Sequence, residues 1–355
     1  MTDRALDRIA IGRWLAVWAA MLFLLVLVGG GTRLTESGLS ITEWKPVSGV
    51  VPPLTEAAWE AEFAKYRLIP QFAQLNAGMT LGDFKGIFWW EFLHRLLARL
   101  VGVVFVLPLG WLAVRRRIPR ELLPRLATLG ILMGLQGAMG WYMVASGLTG
   151  RVNVSQYRLA AHLSLALVIY IVTVWTADEL VTGRSGDGGA PATAAPPAAG
   201  WRAAPSVLRR LLALAFLTVV SGAFVAGLRA GKIYNEFPMM GARLVPVEYG
   251  AMSPWWKNLF ENPAAAQFNH RLLAIVTLLT VVLAWARLRR AATGALRARW
   301  DLVLVAAGVQ VALGITVLLL AVPIAIGVAH QAGALLVLTA LTLALREAGG
   351  RSRTS

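Results

Sequence analysis

The feature that most constrains the fold of this chain is a set of eight apolar stretches. Several of them are long enough to cross a lipid bilayer. The hydrocarbon core of a membrane is about 30 Å thick, so a spanning α-helix needs about 17–25 mainly apolar residues. The fourth, fifth and sixth stretches need flanking residues to complete a span. The sequence therefore predicts an all-α integral membrane protein with eight transmembrane helices. The stretches are Trp14–Gly31, Ile87–Val114, Leu126–Ala145, Leu159–Trp175, Leu211–Gly227, Leu272–Ala286, Leu302–Ala321 and Ile326–Leu345.

Composition and charge agree with this class. The 355 residues are 57% hydrophobic and 15% charged, whereas soluble domains have about a quarter of their residues charged. A net charge of +16 would suggest nucleic acid in a soluble protein, but the positive-inside rule explains it better. With the N-terminus in the cytoplasm, 19 of the 34 Lys and Arg lie on the cytoplasmic side and ten outside. We therefore expect both termini in the cytoplasm and no nucleic-acid partner.

Two segments predict how the spans are connected. The sequence "GRSGDGGAPATAAPPAAG" at 183–200 is rich in Gly, Ala and Pro, which is typical of a flexible linker. We place a cytoplasmic linker at 183–204, between an N-terminal half (1–182) and a C-terminal half (205–355) with four spans each. No charged residue occurs from Leu302 to Leu345, so Pro323 and Gly327 should mark a tight turn between the last two helices.

The two halves resemble each other. "EFLHRLLARL" at 91–100 has a near-echo in "QFNHRLLAIV" at 267–276, and "LQGAMG" at 135–140 matches "VQVALG" at 309–314. "GGGTRLTESGLSITEWKP" after the first span resembles "SGAFVAGLRAGKIYNEFP" after the fifth. An internal repeat of this length predicts two four-helix bundles related by an approximate two-fold axis along the membrane normal.

All four histidines lie in the even-numbered spans: His94, His162, His270 and His330. At about 1.5 Å per residue, they lie roughly 24–32 Å from the cytoplasmic edge of the core, near the outer surface. A facing histidine pair without cysteine or a carboxylate cluster suits bis-imidazole haem ligation, whereas zinc would need a third or fourth ligand. The alternative is four unrelated polar residues, although ionisable residues in membrane helices are usually functional.

Arginines accompany the histidines. Arg95 and Arg271 directly follow two of them, and Arg158 lies one helical turn before His162. A cation near the N-terminal end of a helix is disfavoured by the helix dipole, so an anionic partner such as a haem propionate would account for these residues. We expect Arg95 and Arg158 to contact a haem in the first half and Arg271 one in the second. Snorkelling toward lipid phosphates is the alternative.

One difference separates the two echoes. Glu91 lies three residues before His94, on the same helix face, and should point toward the same haem pocket. Its counterpart Gln267 has a similar shape but cannot exchange a proton at neutral pH. One half therefore carries an acid–base group and the other does not, unless Glu91 is only a carboxylate at headgroup level.

Together these residues resemble the haem A synthase family, membrane enzymes that convert haem O to haem A for cytochrome oxidase. The resemblance covers essentially the whole chain. It implies oxidation of the C8 methyl of haem O to a formyl group by successive hydroxylations, after which a geminal diol loses water. The matching segments are "GGGTRLTESGLSITEWKP", "EFLHRLLAR", "GLQGAMGWYMVASGL", "QFNHRLLA" and the two later histidines.

The resemblance also implies roles for individual residues. His270 and His330 would bind the iron of a resident haem b, and His94 and His162 would bind haem O in the half where it is oxidised. Glu91 would be the catalytic acidic residue. Some family members have cysteine pairs in their outer loops, but this chain has no cysteine, which puts thiol-dependent haem or electron transfer in doubt.

The implied setting is a bacterial inner membrane, with the haem sites toward the outer side. The implied partners are haem O, haem O synthase, cytochrome oxidase assembly factors and an electron donor that the sequence does not identify, and a homo-oligomer is one possibility. Without the resemblance, two other classes remain open: a di-haem b-type protein that takes electrons from quinol, and a haem carrier. Equivalent sites would be expected of the first, so the Glu91/Gln267 difference argues mildly against it.

Overall fold

The computed structural model describes residues 3–45, 48–148, 154–183, 204–290, 292 and 294–352. These residues form α-helices and loops, and no β-strand occurs among them. Eight of the helices (α1 and α4–α10) are long and apolar enough to cross a membrane, which confirms the predicted all-α, multi-pass class. The helices are α1 (Asp3–Leu34), α2 (Glu56–Arg67), α3 (Pro70–Leu75), α4 (Leu81–Val114), α5 (Leu123–Ala145), α6 (Gln156–Thr182), α7 (Ala204–Gly227), α8 (Pro263–Leu288), α9 (Ala295–Leu319) and α10 (Ile324–Ser352).

Most helices extend beyond the predicted apolar stretches, because polar residues complete their end turns. α4 begins six residues early, at a capping box in which the Thr80 hydroxyl accepts from the Asp83 amide at 3.2 Å and the Asp83 carboxylate accepts from the Thr80 amide at 3.0 Å. The Asn262 side chain caps α8 by accepting from Ala264 N and Ala265 N. Such caps satisfy amide groups that have no partner within the helix.

The prediction for Gly327 was wrong. The turn between α9 and α10 occupies residues 320–323, where Ala321 and Val322 have φ of 55° and 67°. Gly327 lies inside α10, and a β-carbon placed on it would be 2.7 Å from Leu34 Cδ1. The glycine therefore allows α10 to approach the end of α1 closely, and Pro323 alone stands at the turn, immediately before α10.

The helix packing repeats from one half to the other. In the N-terminal half α1 packs against α4 and α6, and α5 packs against α6. In the C-terminal half α7 packs against α8 and α10, and α9 packs against α10. The halves meet through α1 with α10, α7 with α6, and α6 with α10. This pattern is unchanged when the halves are exchanged, which is compatible with an approximate two-fold axis.

Two ion pairs across this interface join equivalent positions. Glu36 and Arg229 stand seven residues beyond Gly29 and Gly222, with φ of 57° and 54°, and their side chains pair at 2.7 Å. At the other end of the bundle, Asp178 and Arg346 stand 16 residues beyond His162 and His330, and they also form an ion pair. Only residues beside a two-fold axis can contact their own counterparts, so these pairs mark where such an axis would pass.

The segment between α1 and α4 is held down by aromatic packing. α2 and α3 lie in it, and Phe63 and Tyr66 of α2 pack against Phe84 of α4 at ring centroid distances of 5.0 and 5.3 Å. All three rings are buried. The corresponding segment of the C-terminal half, between α7 and α8, contains only short 3-10 turns. The predicted linker lies almost wholly within 184–203, outside the described residues, and α7 begins at Ala204.

Candidate functional site

Each histidine lies against a glycine of the preceding spanning helix. A β-carbon placed on any of these glycines would approach the histidine Cε1 to 2.9–3.2 Å, which is closer than normal packing allows. Glycine therefore lets each imidazole lie directly against the backbone of the neighbouring helix. The same glycine contact positions all four rings. The pairs are Gly29 with His94, Gly140 with His162, Gly222 with His270, and Gly314 with His330.

The histidines lie at the same height in the bundle, as the sequence predicts. Each is 18 to 22 residues from the C-terminal end of its helix. All four rings are half-buried. His94 and His162 are close enough for their charges to interact, so each half brings its two histidines together.

The spacing of the C-terminal pair fits a metal ion. The ring centroids of His270 and His330 are 6.5 Å apart, and the ring planes are perpendicular. Two imidazoles bound on opposite sides of one metal, each through a bond of about 2.0 Å, have ring centroids roughly 6 Å apart. In the described part of the chain no group of three or more His, Cys, Asp or Glu side chains converges. Two axial imidazoles suit an iron that brings its own equatorial ligands, as in haem.

The Glu91 carboxylate is buried and fully hydrogen-bonded. Its Oε2 accepts from the Ser40 hydroxyl at 2.7 Å and from the Ile41 amide at 2.8 Å. Its Oε1 accepts from Arg95 Nη2 at 2.6 Å and from Arg95 Nε at 3.0 Å. Only 3% of the Glu91 side chain is exposed. Its partners are the loop after α1 and Arg95 rather than the His94 ring, so the carboxylate links the histidine helix to that loop.

Arg95 clamps the same loop. Besides Glu91, it donates to the Ile41 carbonyl at 2.8 Å and to the Glu43 carbonyl at 3.0 Å, and it lies over the Trp44 ring. Its guanidinium therefore has several protein partners. Charge-assisted bonds of this kind are about twice as strong as neutral ones.

Glu43 continues the anchoring of this loop. Its carboxylate accepts from Lys65 Nζ at 2.9 Å and lies 2.5 Å from Lys45 Nζ. The hydrogen bond from Lys45, with that from Lys65, holds the pKa of Glu43 below its usual value. The pKa of Lys65 is raised, chiefly by its hydrogen bond to Glu62. These pairs tie the loop over Glu91 to α2.

The C-terminal half has the same clamp without the carboxylate. Arg271 donates to the carbonyls of Tyr234 at 2.8 Å and Glu236 at 2.9 Å, which correspond to the two carbonyls held by Arg95. Gln267 is buried and donates to the Tyr234 carbonyl at 3.0 Å. The Gln267 Oε1 and the Arg271 Nε are buried without a hydrogen-bond partner.

Arg158 lies beside the segment that follows α5. It donates to the Ser146 hydroxyl and stands 4.7 Å above the centre of the Tyr142 ring. One turn further along α6 is His162, so Arg158 is near the site but is held by protein groups. Its predicted contact with a haem propionate stays a prediction.

Sequence reasoning missed three polar neighbours of the histidines. Gln136 Nε2 lies 3.3 Å from His162 Nε2, and Gln310 Nε2 lies 3.5 Å from His330 Nε2. Both glutamines precede a histidine-facing glycine by four residues, so their helix face could have been read from "LQGAMG" and "VQVALG". The third neighbour is Ser221, whose Oγ lies 2.8 Å from His270 Nδ1. No sequence signal pointed to it.

Comparison with known proteins decides the family. A family model described as "Cytochrome oxidase assembly protein" (COX15-CtaA) matches residues 12–342, a range that includes all four histidines and Glu91. The chain belongs to this family.

Relatives named "Heme A synthase" align over most of their length. The chain is 49% identical over 331 residues to the one from Parvibaculum lavamentivorans, which covers 92% of this chain and 91% of that protein. It is 51% identical over 333 residues to the one from Rhodospirillum centenum, with 94% and 86% covered. It is 44% identical over 331 residues to the one from Nitrosospira multiformis, with 93% and 91% covered. The similarity therefore includes the whole bundle of spanning helices.

Proposed function

We propose that this chain is a haem A synthase, an oxidoreductase that converts the C8 methyl of haem O to a formyl group. The observation that carries the proposal is the repeated histidine-pair frame in which one half holds a buried glutamate and the other a glutamine. The names of its relatives support the same activity. The reaction proceeds by successive hydroxylations of the methyl carbon, and the geminal diol then loses water to leave the aldehyde.

In this proposal the C-terminal half holds a resident haem b through His270 and His330. The 6.5 Å between their ring centroids supports this assignment. So does the contact between Ser221 Oγ and His270 Nδ1, at 2.8 Å. When bound, haem b supplies one-electron redox chemistry. Arg271 keeps the loop after α7 closed against the start of α8.

The N-terminal half receives haem O, with His94 and His162 as its iron ligands. These residues orient the substrate, and the glycines behind them fix how far each ring can retreat. Arg95 and Arg158 would bind the propionates of the substrate, since their guanidinium groups are suited to carboxylate partners.

Glu91 accepts and donates protons in this half. Arg95 orients the carboxylate through Oε1, so Oε2 is the oxygen that exchanges a proton with the Ser40 hydroxyl. The hydroxyl can donate to Oε2 and accept from a neighbour by rotation, which gives protons a route toward the outer loop. Hydroxylation of a methyl group moves protons together with electrons, and a positioned carboxylate accelerates such proton transfers by about 10²–10⁴-fold.

Haem analysis tests the proposal directly. Haem extracted from cells that make haem O, with and without this protein, is separated by chromatography and identified by mass. We expect haem A only where the protein is present. A haem carrier would give unmodified haem in both cases, and a di-haem protein of quinol electron transfer would leave the haem O pool unchanged.

We also propose a bacterial inner membrane with both termini in the cytoplasm, and haem O synthase, cytochrome oxidase assembly factors and a separate electron donor as partners. The distribution of Lys and Arg supports this orientation. Reporter fusions after Arg120 and within 183–200 should report cytoplasm, and fusions within 55–80 should report the outer side. A cytoplasmic signal from 55–80 would reverse the topology.

A further inference from the structure

We infer that Ser221 is a positioning residue for His270, and that its hydroxyl makes the C-terminal site a retaining site whereas the N-terminal site exchanges its haem. The inference rests on the proposed function, because it assigns the resident haem to His270. It concerns a residue on α7, one helix away from the histidine itself.

The hydrogen bonds of Ser221 determine the protonation of the ring. The Ser221 hydroxyl donates to the Thr218 carbonyl at 2.7 Å, so its single proton is already used. In this arrangement its contact of 2.8 Å with His270 Nδ1 is accepted from an Nδ1–H group. A neutral imidazole with its proton on Nδ1 has its lone pair on Nε2, which is the form that binds iron.

The backbone of α7 completes this arrangement. Gly222 directly follows Ser221. A β-carbon placed on Gly222 would lie 3.0 Å from His270 Cε1, so the glycine leaves room for the ring to pack against the backbone. One side of the ring is thus held by van der Waals contact and the adjacent nitrogen by a hydrogen bond. Together they fix the direction in which Nε2 points.

The N-terminal half lacks this hydrogen bond. The residue directly before Gly29 is Val28, so the position of Ser221 is taken by a side chain without a donor or acceptor. The Leu25 carbonyl lies near the His94 ring, as the equivalent Thr218 carbonyl lies near the His270 ring, but no side chain bonds His94 Nδ1, which is buried without a partner. The tautomer and orientation of His94 are therefore less constrained than those of His270.

The other two histidines sharpen the contrast. The Nδ1 atoms of His162 and His330 are also buried without a hydrogen-bond partner. Of the four imidazoles, only that of His270 has a side-chain hydroxyl within hydrogen-bond distance of Nδ1. A partner on this nitrogen makes the ligand more basic, and losing such a partner typically weakens metal binding about 10–100-fold. A site that must keep its cofactor through many turnovers benefits from this, whereas a site that must release product does not.

The test uses the purified full-length protein in detergent. Ser221→Ala removes the hydroxyl, Ser221→Thr keeps it, and Val28→Ser supplies one beside His94. Loss of haem b is followed by its transfer to apomyoglobin, and the midpoint potential of the retained haem is measured by redox titration. We expect Ser221→Ala to release haem b about 10–100-fold faster and to have a higher potential, because a less basic ligand stabilises the ferric state less.

The remaining variants separate a hydrogen bond from a packing effect. Ser221→Thr should restore both the release rate and the potential, and Val28→Ser should slow the release of haem from the N-terminal half. Wild-type release and potential in Ser221→Ala would overturn the inference, and so would equal defects in Ser221→Ala and Ser221→Thr. Because Val28→Ser leaves α7 untouched, it tests the idea even if Ser221→Ala does not fold. Failure of the wild-type protein to make haem A would overturn the proposed function while leaving these ligand measurements intact.

Discussion

The loop after α1 and the loop after α7 are held by similar hydrogen bonds, but one bonds a carboxylate and the other an amide. In each half an arginine directly after the histidine, Arg95 or Arg271, holds two equivalent carbonyls of the loop. In each half the residue four positions before that arginine also bonds the loop. That residue is Glu91 in one half and Gln267 in the other, so the clamp is structural and the carboxylate is what one half adds to it.

The surroundings of the two side chains differ as well. Glu91 has both oxygens satisfied, and one of them accepts from Ser40. Gln267 leaves its Oε1 buried without a partner, an arrangement that costs about 1–3 kcal/mol. The loop position equivalent to Ser40 is Ile233, which has no hydroxyl. The difference therefore extends beyond one substitution: the N-terminal loop is built to hold a carboxylate and the C-terminal loop is not.

The largest expected effect comes from making the halves alike. Glu91→Gln keeps the shape of the side chain and removes its ability to exchange a proton. We expect haem A production to fall by about 10²–10⁴-fold, as measured by chromatography and mass analysis of extracted haem. Folding and haem b content should stay near normal, because the equivalent clamp of Gln267 and Arg271 already holds its loop with an amide in place of the carboxylate. Partly oxidised haem should accumulate if a late step is the one that slows.

The matched control is the reciprocal change. Gln267→Glu should not create a second active site, because in the proposed function this pocket is assigned to the resident haem, and it offers Ile233 where Ser40 stands. A normal yield of haem A from Glu91→Gln would show that the carboxylate only holds the loop. The asymmetry between the halves would then have a structural origin.

The next effect distinguishes the sites by their cofactor. His270→Ala or His330→Ala should remove most of the b-type absorbance of the purified protein, because haem would lose one of two axial ligands. His94→Ala and His162→Ala should leave most of it, since the proposed function assigns their site to substrate and product, which exchange. Absorbance spectra of the reduced proteins measure this. Loss of the signal from the N-terminal variants alone would reverse the assignment of the two halves.

Much of the fold could be predicted from the sequence because its signals are local. Spanning helices follow from apolar length, and the repeat follows from matching motifs such as the one around His94 and His270. The tight turn after α9 was only half predicted, because Gly327 serves a contact with Leu34 that depends on how α10 packs against α1. A glycine at a turn and a glycine at a helix contact look the same in a sequence.

The candidate site was predicted less completely because its contacts join distant segments. The pairing of the four histidines could be foreseen from depth and repetition. The bonds from Ser40 and Ile41 to Glu91 could not, since they require the loop after α1 to fold back over α4, some fifty residues later. Ser221 was missed for the same reason: its partner His270 is on another helix, and a serine inside an apolar stretch is an ordinary residue.

The two ion pairs on the interface between the halves also differ. Asp178–Arg346, near the C-terminal ends of α6 and α10, should contribute more to the free energy of unfolding than Glu36–Arg229. Arg346 is largely buried, with 7% of its side chain exposed, and its partner Asp178 has 18% exposed. Removing one member of a buried pair typically costs about 3–5 kcal/mol because a buried charge is left behind. We expect Arg346→Met to lie at the low end of this range, since Arg299 also approaches Asp178, at 3.6 Å.

Thermal unfolding in detergent measures this effect. The double variant Asp178→Asn with Arg346→Met should be more stable than Arg346→Met alone, because it removes the unpaired carboxylate. Equal stability of the two would mean that Arg299 fully compensates for Arg346 and that the interface does not depend on this pair.

The smallest expected effect belongs to the ion pair at the opposite end of the interface between the halves. Glu36 and Arg229 each have 35% of the side chain exposed, so water and salt screen their attraction, and exposed pairs contribute about 0.2–1 kcal/mol. A double-mutant cycle of Glu36→Gln and Arg229→Gln should give a coupling energy in that range, and the coupling should shrink when salt is raised from about 0.1 M to 1 M, since the Debye length falls from about 10 Å to 3 Å. The Asp178–Arg346 coupling should change less over the same salt range because that pair is more buried. If the Glu36–Arg229 coupling energy is as large and as insensitive to salt as the Asp178–Arg346 coupling, the two pairs stabilise the interface equally. Burial would then not decide which pair contributes more.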